Sequence, residues 1–176
     1  FNLGFMYFHG NGVIKDYAKA LKWTRRAAEQ GLAEAQWNVG SMYSKGLGVI
    51  KDYAKAVKWF RKATDQGDEL AQFNLGSSYN AGKGVIKDHT EAVKWYRKAA
   101  EQGYVDAQYQ LGLIYENGVF KDPILAHMWW NIAASVGEKA AGKKRDGLEK
   151  TMNAASILKA TQKAKRCLRS NYKYCD

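Results

Sequence analysis

Ala35-Gln36-Trp37-Asn38-Val39-Gly40 returns as Ala71-Gln72-Phe73-Asn74-Leu75-Gly76, and again as Ala107-Gln108-Tyr109-Gln110-Leu111-Gly112. Each return comes 36 residues after the last, and Phe1-Asn2-Leu3-Gly4 enters the same frame one period earlier. A fixed period of this length marks a stacked repeat architecture, in which each unit buries its apolar face against its neighbours. Working outward, Tyr7, Tyr43, Tyr79 and Tyr115 share one register, and Gly10, Gly46, Gly82 and Gly118 share another. Asp16, Asp52, Asp88 and Asp122 align, as do Trp23, Trp59, Trp95 and Trp129. The fourth unit lacks two loop residues after Gly118.

Each unit reads as helix, loop, helix. In the second, Ala35, Val39 and Met42 recur at helical spacing over about Ala33 to Lys45. Gly46 can take the left-handed conformation that ends a helix. Asp52 is placed to cap the next one, Asp88 with Glu91 resembles a capping box, and Pro123 follows Asp122 where a missing N–H costs nothing. Ala56, Trp59, Phe60 and Ala63 form the expected buried stripe of the second helix. Gly4, Gly40, Gly76 and Gly112 fall inside helices, where each costs about 1 kcal/mol relative to alanine. That recurrence predicts a close helix crossing near Ala20, Ala56, Ala92 or Ala126.

The apolar fraction of 46% is ample for a core, and plentiful alanine and lysine favour helices. No apolar run approaches the roughly 18 residues of a membrane span. Net charge is +11. Residues 1–137 carry 17 basic and 13 acidic side chains, and residues 138–176 carry 11 and 4, so the basic excess lies mainly in the last quarter.

The pattern Leu/Val-Gly-x-x-Tyr-x-x-Gly-x-Gly-Val-x-x-Asp, followed by Ala92, Trp95, Ala99, Ala100, Gln102 and Gly103 in one unit, resembles the Sel1-like repeat. The period, the Gly-x-Gly loop and the lack of a closing proline separate it from the related tetratricopeptide repeat. The resemblance implies an all-α fold: an α/α superhelical solenoid of about four helix-loop-helix repeats, with first helices lining a concave surface. The repeats are expected at 1–34, 35–70, 71–106 and 107–140. Capping helices follow at 141–169, suggested by Leu148 and Met152, then by Ile157, Leu158, Ala160, Ala164 and Leu168, with a tail at 170–176. Phe1 enters mid-repeat, so the native chain is expected to extend upstream.

The resemblance also implies an adaptor or scaffold, often in bacterial envelopes or host interaction. An enzyme is not expected: no nucleophile elbow, phosphate loop or metal-ligand spacing is present, and the Gly-x-Gly turns recur with the fold. His9, His89 and His127 sit in unrelated registers, so no metal and no cofactor is expected. The expected partner is a protein or peptide bound by a monomer, with no small-molecule substrate and with nucleic acid disfavoured. By analogy with tetratricopeptide helices, Asn2, Asn38, Asn74 and Gln110 should face the groove as an amide ladder able to satisfy a peptide backbone. Phe1, Trp37, Phe73 and Tyr109 adjoin them, offering apolar or stacking area. Ser41, Ser77 and Lys45 replace Phe5, Leu113 and His9, and Ser44 and Asn80 replace Phe8 and Glu116, variation that suits partner-facing sites. Equally, the aromatics could be core and the amides could bond between helices.

Two further features stand outside the repeats. Cys167 and Cys175 would form a disulfide pinning the tail in an oxidising compartment, or remain two thiols in the cytoplasm. A periplasmic or secreted location is expected, with the cytoplasm as the alternative. The basic cluster around Lys143, Lys144, Arg145, Lys163, Lys165, Arg166 and Arg169 supports a second reading, a structural envelope or cell-wall-associated factor docking anionic partners.

Overall fold

The computed structural model describes residues 1–175, and ten helices lie among them with no strand. In chain order they are α1 Asn2–His9, α2 Tyr17–Glu29, α3 Ala33–Lys45, α4 Tyr53–Thr64 and α5 Glu69–Ala81. They continue as α6 His89–Ala100, α7 Val105–Asn117, α8 Pro123–Ser135, α9 Lys139–Glu149 and α10 Ala154–Arg169. The fold is an all-α solenoid of helix-loop-helix repeats with two helices after the last repeat. It divides into two compact units, Phe1–Ala92 and Val93–Asp176.

One set of local rules builds every hairpin. Gly10, Gly46 and Gly82 end the first helices at φ 79°, 73° and 66°. The shortened fourth loop differs: Gly118 is extended, at φ −84° and ψ −177°. The loop is then closed by the backbone. Asp16, Asp52, Asp88 and Asp122 each donate their N–H to the carbonyl of Tyr7, Tyr43, Tyr79 or Tyr115, at 2.8–3.0 Å. The same aspartates cap the next helix, Asp16 and Asp52 accepting from Lys19 and Lys55 N–H at 2.9 Å. Those backbone bonds hold both carboxyls below the ordinary carboxylate range.

In the first unit, α1 packs on α2, α2 on α3, α3 on α4, and α4 on α5. The interior glycines mark the crossings. A β-carbon on Gly40 would meet the Phe60 ring at 2.6 Å and the Ala56 carbonyl at 3.1 Å. One on Gly4 would collide with Thr24 and lie 3.3 Å from the Ala20 carbonyl. The crossing is therefore near Ala20 and Ala56 as expected, but the nearest obstruction is the residue four positions further on.

The Gln of two Ala-Gln pairs, Gln36 and Gln108, ties successive hairpins together. Gln36 is buried, donates to the Ala28 carbonyl at 3.1 Å, and accepts from Gln66 Nε2 at 2.8 Å. In the second unit Gln108 donates to the Ala100 carbonyl at 3.2 Å. Gln36→Ala is expected to lower stability by about 1–3 kcal/mol, because it strips the partner from the carbonyl of the buried Ala28. Urea unfolding measures this, and a loss under about 0.5 kcal/mol counts against the tie.

In the second unit α8 is central, packed on α7, α9 and α10. Its Met128, Trp129, Trp130 and Ile132 are all fully buried. A β-carbon on Gly112 would collide with Trp130, whose indole donates to the Tyr109 carbonyl at 3.3 Å. The buried His127 shares a 2.6 Å hydrogen bond with Glu149 of α9. Expected details change here. Met152 lies beyond α9, Leu158 on α10 is exposed, and Trp59 is only half-buried. Trp129, in the same register as Trp59, is covered because α9 and α10 pack on its helix. The last turn is closed by a disulfide between Cys167 and Cys175, with α-carbons 4.5 Å apart.

Candidate functional site

Two cavities in the first unit recur at one register. The first, about 80 Å³, lies between α1 and α3, with Phe8, Thr24, Asn38 and Met42 on its walls. The second, about 220 Å³, lies between α3 and α5, walled by Ser44, Phe60, Asn74 and Ser78. These four pairs of positions are each 36 residues apart, so one feature of the repeat is built twice. Its chemistry changes between copies. The first copy adds Phe1, Phe5, His9 and Glu34, and is the more apolar of the two. The second adds Ser77, Tyr53 and Lys83, and is rich in hydroxyl and amide groups.

The amides reach these cavities from half-buried positions on consecutive first helices. Asn38 Nδ2 donates to the Glu34 carbonyl at 2.9 Å, and Asn74 Nδ2 to the Leu70 carbonyl at 2.7 Å. Each bond lies within its own helix and not between helices. It orients the amide with its carbonyl oxygen and second N–H left over, one acceptor and one donor per repeat. Ser78 Oγ donates to the Asn74 carbonyl at 2.8 Å, and Ser44 Oγ to the Ser41 carbonyl at 2.9 Å, which fixes both hydroxyls.

The structure thus gathers Asn38 into one cavity, and Asn74 with Ser77 and Ser44 into the next. Of the aromatics expected beside the amides, Phe1 lines the first cavity; Trp37, Phe73, Ser41 and Lys45 line neither, and further aromatic surface comes from Phe5, Phe8 and Phe60. Trp37 is half-buried with its indole N–H inside the protein, as a packing residue is. Asn2 is exposed on α1, while Gln110 and Tyr109 are half-buried on α7. Asn80 and Glu116, which share the Ser44 register, are held within the chain by His89 Nδ1 at 3.0 Å and Lys144 Nζ at 3.0 Å. Met42 and Phe60 were legible only as core, because periodicity does not tell a buried residue from one at the floor of a cavity.

The basic stripes on the second helices lie along tryptophans. Arg26, Lys62 and Lys98 sit 4.5–4.6 Å from the rings of Trp23, Trp59 and Trp95. Such cations cover apolar surface while their heads stay in water. Separately, Gln162, Lys165, Arg166, Arg169 and Ser170 border an open recess of about 520 Å³ on α10. Burial pushes the Asp68 carboxyl above its ordinary range, although it accepts from Ala71 N–H at 2.7 Å to cap α5.

Sel1 repeats match residues 1–32, 33–68, 70–104 and 105–138. This chain belongs to the Sel1 repeat family. Two solved structures share the Sel1 fold with it. A Sel1 repeat protein from Oxalobacter formigenes is 42% identical, over 80% of this chain and 58% of that chain, with a TM-score of 0.74. The protective antigen c5321 of uropathogenic Escherichia coli, described as having an SLR fold, is 33% identical, over 99% of this chain and 45% of that chain, with a TM-score of 0.66. The present chain therefore spans roughly half the length of these Sel1 relatives. No curated protein matches it. Sel1 repeat proteins are generally protein-interaction scaffolds and typically non-catalytic. No helix among the described residues is long and apolar enough to cross a membrane.

Proposed function

We propose that this Sel1 repeat chain is a non-catalytic adaptor that takes an extended peptide along the cavities between successive first helices. The recurrence of one cavity at Asn38 and Asn74 supports the reading most strongly. An extended peptide offers a backbone donor and acceptor at regular intervals, and Asn38 and Asn74 offer the complement from consecutive repeats. An apolar side chain suits the cavity of Phe1, Phe5, Phe8 and Met42. A polar or acidic one suits the cavity of Ser44, Ser77, Ser78 and Lys83.

Peptides selected on the immobilised chain from a random display library provide the probe. Against them, Asn38→Ala with Asn74→Ala is expected to weaken binding about tenfold or more, since two oriented hydrogen-bonding groups are lost. Thermal melting should stay close to wild type, because neither amide bridges two helices. Equal affinity for the double variant, or photocrosslinks from position 77 that miss the peptide, would sink the groove.

A second reading places anionic partners on the recess of Lys165, Arg166 and Arg169. Deleting residues 141–176 is a poor test of it, because α9 and α10 pack on the buried tryptophans of α8. Lys165→Glu with Arg169→Glu keeps those helices and removes the charge. Loss of a salt-sensitive partner in that variant favours the tail over the groove. A periplasmic or secreted location is supported by the Cys167–Cys175 pairing, since such bonds persist in oxidising compartments.

A further inference from the structure

The loops of the first three hairpins each carry an isoleucine that the fold does not use. Ile14, Ile50 and Ile86 are 91%, 89% and 90% exposed. One exposed apolar side chain is ordinary. Three at a single register are different, because the demands of this loop are met by other residues. Gly12, Gly48 and Gly84 supply its second left-handed turn, at φ 71°, 69° and 77°. The aspartates close it and cap the next helix.

The loops also lie side by side. Gly48 rests directly on the backbone of Tyr17 and Ala18, just after the first loop, and Gly84 rests on that of Tyr53 and Ala54, just after the second. Ile14, Ile50 and Ile86 therefore form one row along an edge of the first unit. An exposed lysine follows each of them, at Lys15, Lys51 and Lys87. At the first two loops the neighbouring acids are met by a second lysine, Asp16 pairing with Lys19 at 3.3 Å and Asp52 with Lys55 at 3.2 Å, which leaves Lys15 and Lys51 as excess charge. At the third, Asp88 caps its helix and keeps its charge, and Glu91 stands where the others have lysine, so the basic excess lies at the first two loops.

We propose that this row seats the protein on an anionic lipid surface. The isoleucines enter the boundary between headgroups and acyl chains, and the lysines meet the lipid headgroup anions. The geometry favours lipid over a protein partner. The three side chains stand singly at loop tips and line none of the cavities described above, whereas a protein interface needs a packed, shape-complementary centre. A fluid bilayer boundary needs no such fit, admits each apolar side chain separately, and attracts adjacent basic residues when its lipids are anionic. The first unit, residues 1–92, carries 13 basic and 9 acidic side chains, a balance in the same direction.

Cosedimentation with vesicles of phosphatidylcholine, with or without about 30% phosphatidylserine, tests this on the whole chain. Wild type is expected to pellet with the anionic vesicles and hardly at all with the neutral ones. Ile14→Ser, Ile50→Ser and Ile86→Ser combined keep every charge, and should lower the partition constant about tenfold or more. Their melting should match wild type, as nothing packs on these side chains. A variant with tryptophan at the same three positions should bind more tightly, and it checks the result independently if the serine variant is unstable. If the serine variant pellets as well as wild type, the attraction is mere charge, from the C-terminal cluster or elsewhere, and the proposal is wrong. If wild type ignores anionic vesicles the proposal is also wrong, and self-association lost in the serine variant would show the row to be a contact between copies.

Discussion

Gly48→Ala is expected to remove about 2–5 kcal/mol of stability, more than most single substitutions. Two penalties combine. Gly48 sits at φ 69°, where a β-carbon meets its own carbonyl and costs about 1–2 kcal/mol. The new methyl would also collide with the Tyr17 carbonyl and lie 2.7 Å from Ala18 N. Those are backbone atoms at the start of α2, and no side-chain rotation moves them away. The loop must lift off the preceding hairpin or α2 must shift. Gly12 supplies the control within the same chain. It has nearly the same φ, 71°, but its nearest obstruction is the Met6 methyl at 3.7 Å, so Gly12→Ala should carry the backbone penalty alone. Denaturant midpoints for the two variants separate the contributions. Equal losses would mean that the stacked loops do not constrain position 48. Gly84, against Tyr53 and Ala54, should behave like Gly48.

Gly40→Leu should cost about 3 kcal/mol or more, through overpacking and not through helix propensity. Propensity alone favours the substitution, since glycine is about 1 kcal/mol worse than alanine within a helix. The opposing effect is the Phe60 ring, 2.6 Å from the new β-carbon and itself buried, with the Ala56 carbonyl 3.1 Å away. A double-mutant cycle locates the cause. Gly40→Ala should be markedly less harmful in a Phe60→Ala background than in wild type, with a coupling of about 1 kcal/mol or more. Additive effects would place the origin of the glycine elsewhere, and a Gly40→Leu chain that melts like wild type would overturn the crossing altogether.

Both predictions divide what could be read along the chain from what could not. The recurrence of Gly40, Gly76 and Gly112 already implied a tight crossing, and Ala56 was rightly placed beside it. That the Phe60 ring fills the space could not be read, because a 36-residue period fixes which residues are equivalent and not which atoms oppose each other. Gly48 was legible only as a turn residue, because its left-handed backbone is a local property. The candidate groove was half legible. The Asn38 and Asn74 register was visible, and the structure places both amides at equivalent cavities. Their aromatic neighbours were legible only in part: Phe1 lies at a cavity wall as expected, Trp37 and Phe73 lie outside the cavities, and Phe5, Phe8 and Phe60 complete the walls.

The amino-acid sequence by itself determined the helices, their caps and stops, and the repeat. These depend on interactions spanning a few residues: Asp16 with Lys19 N–H, Gly46 taking φ above zero, Asp52 N–H reaching the Tyr43 carbonyl. Only the tertiary structure decided which equivalent residues are buried. Trp59 and Trp129 occupy one register, yet one is half-covered and the other enclosed, because α9 and α10 lie over α8. Burial depends on what crosses from another hairpin, and nothing in the local pattern around a tryptophan carries that information.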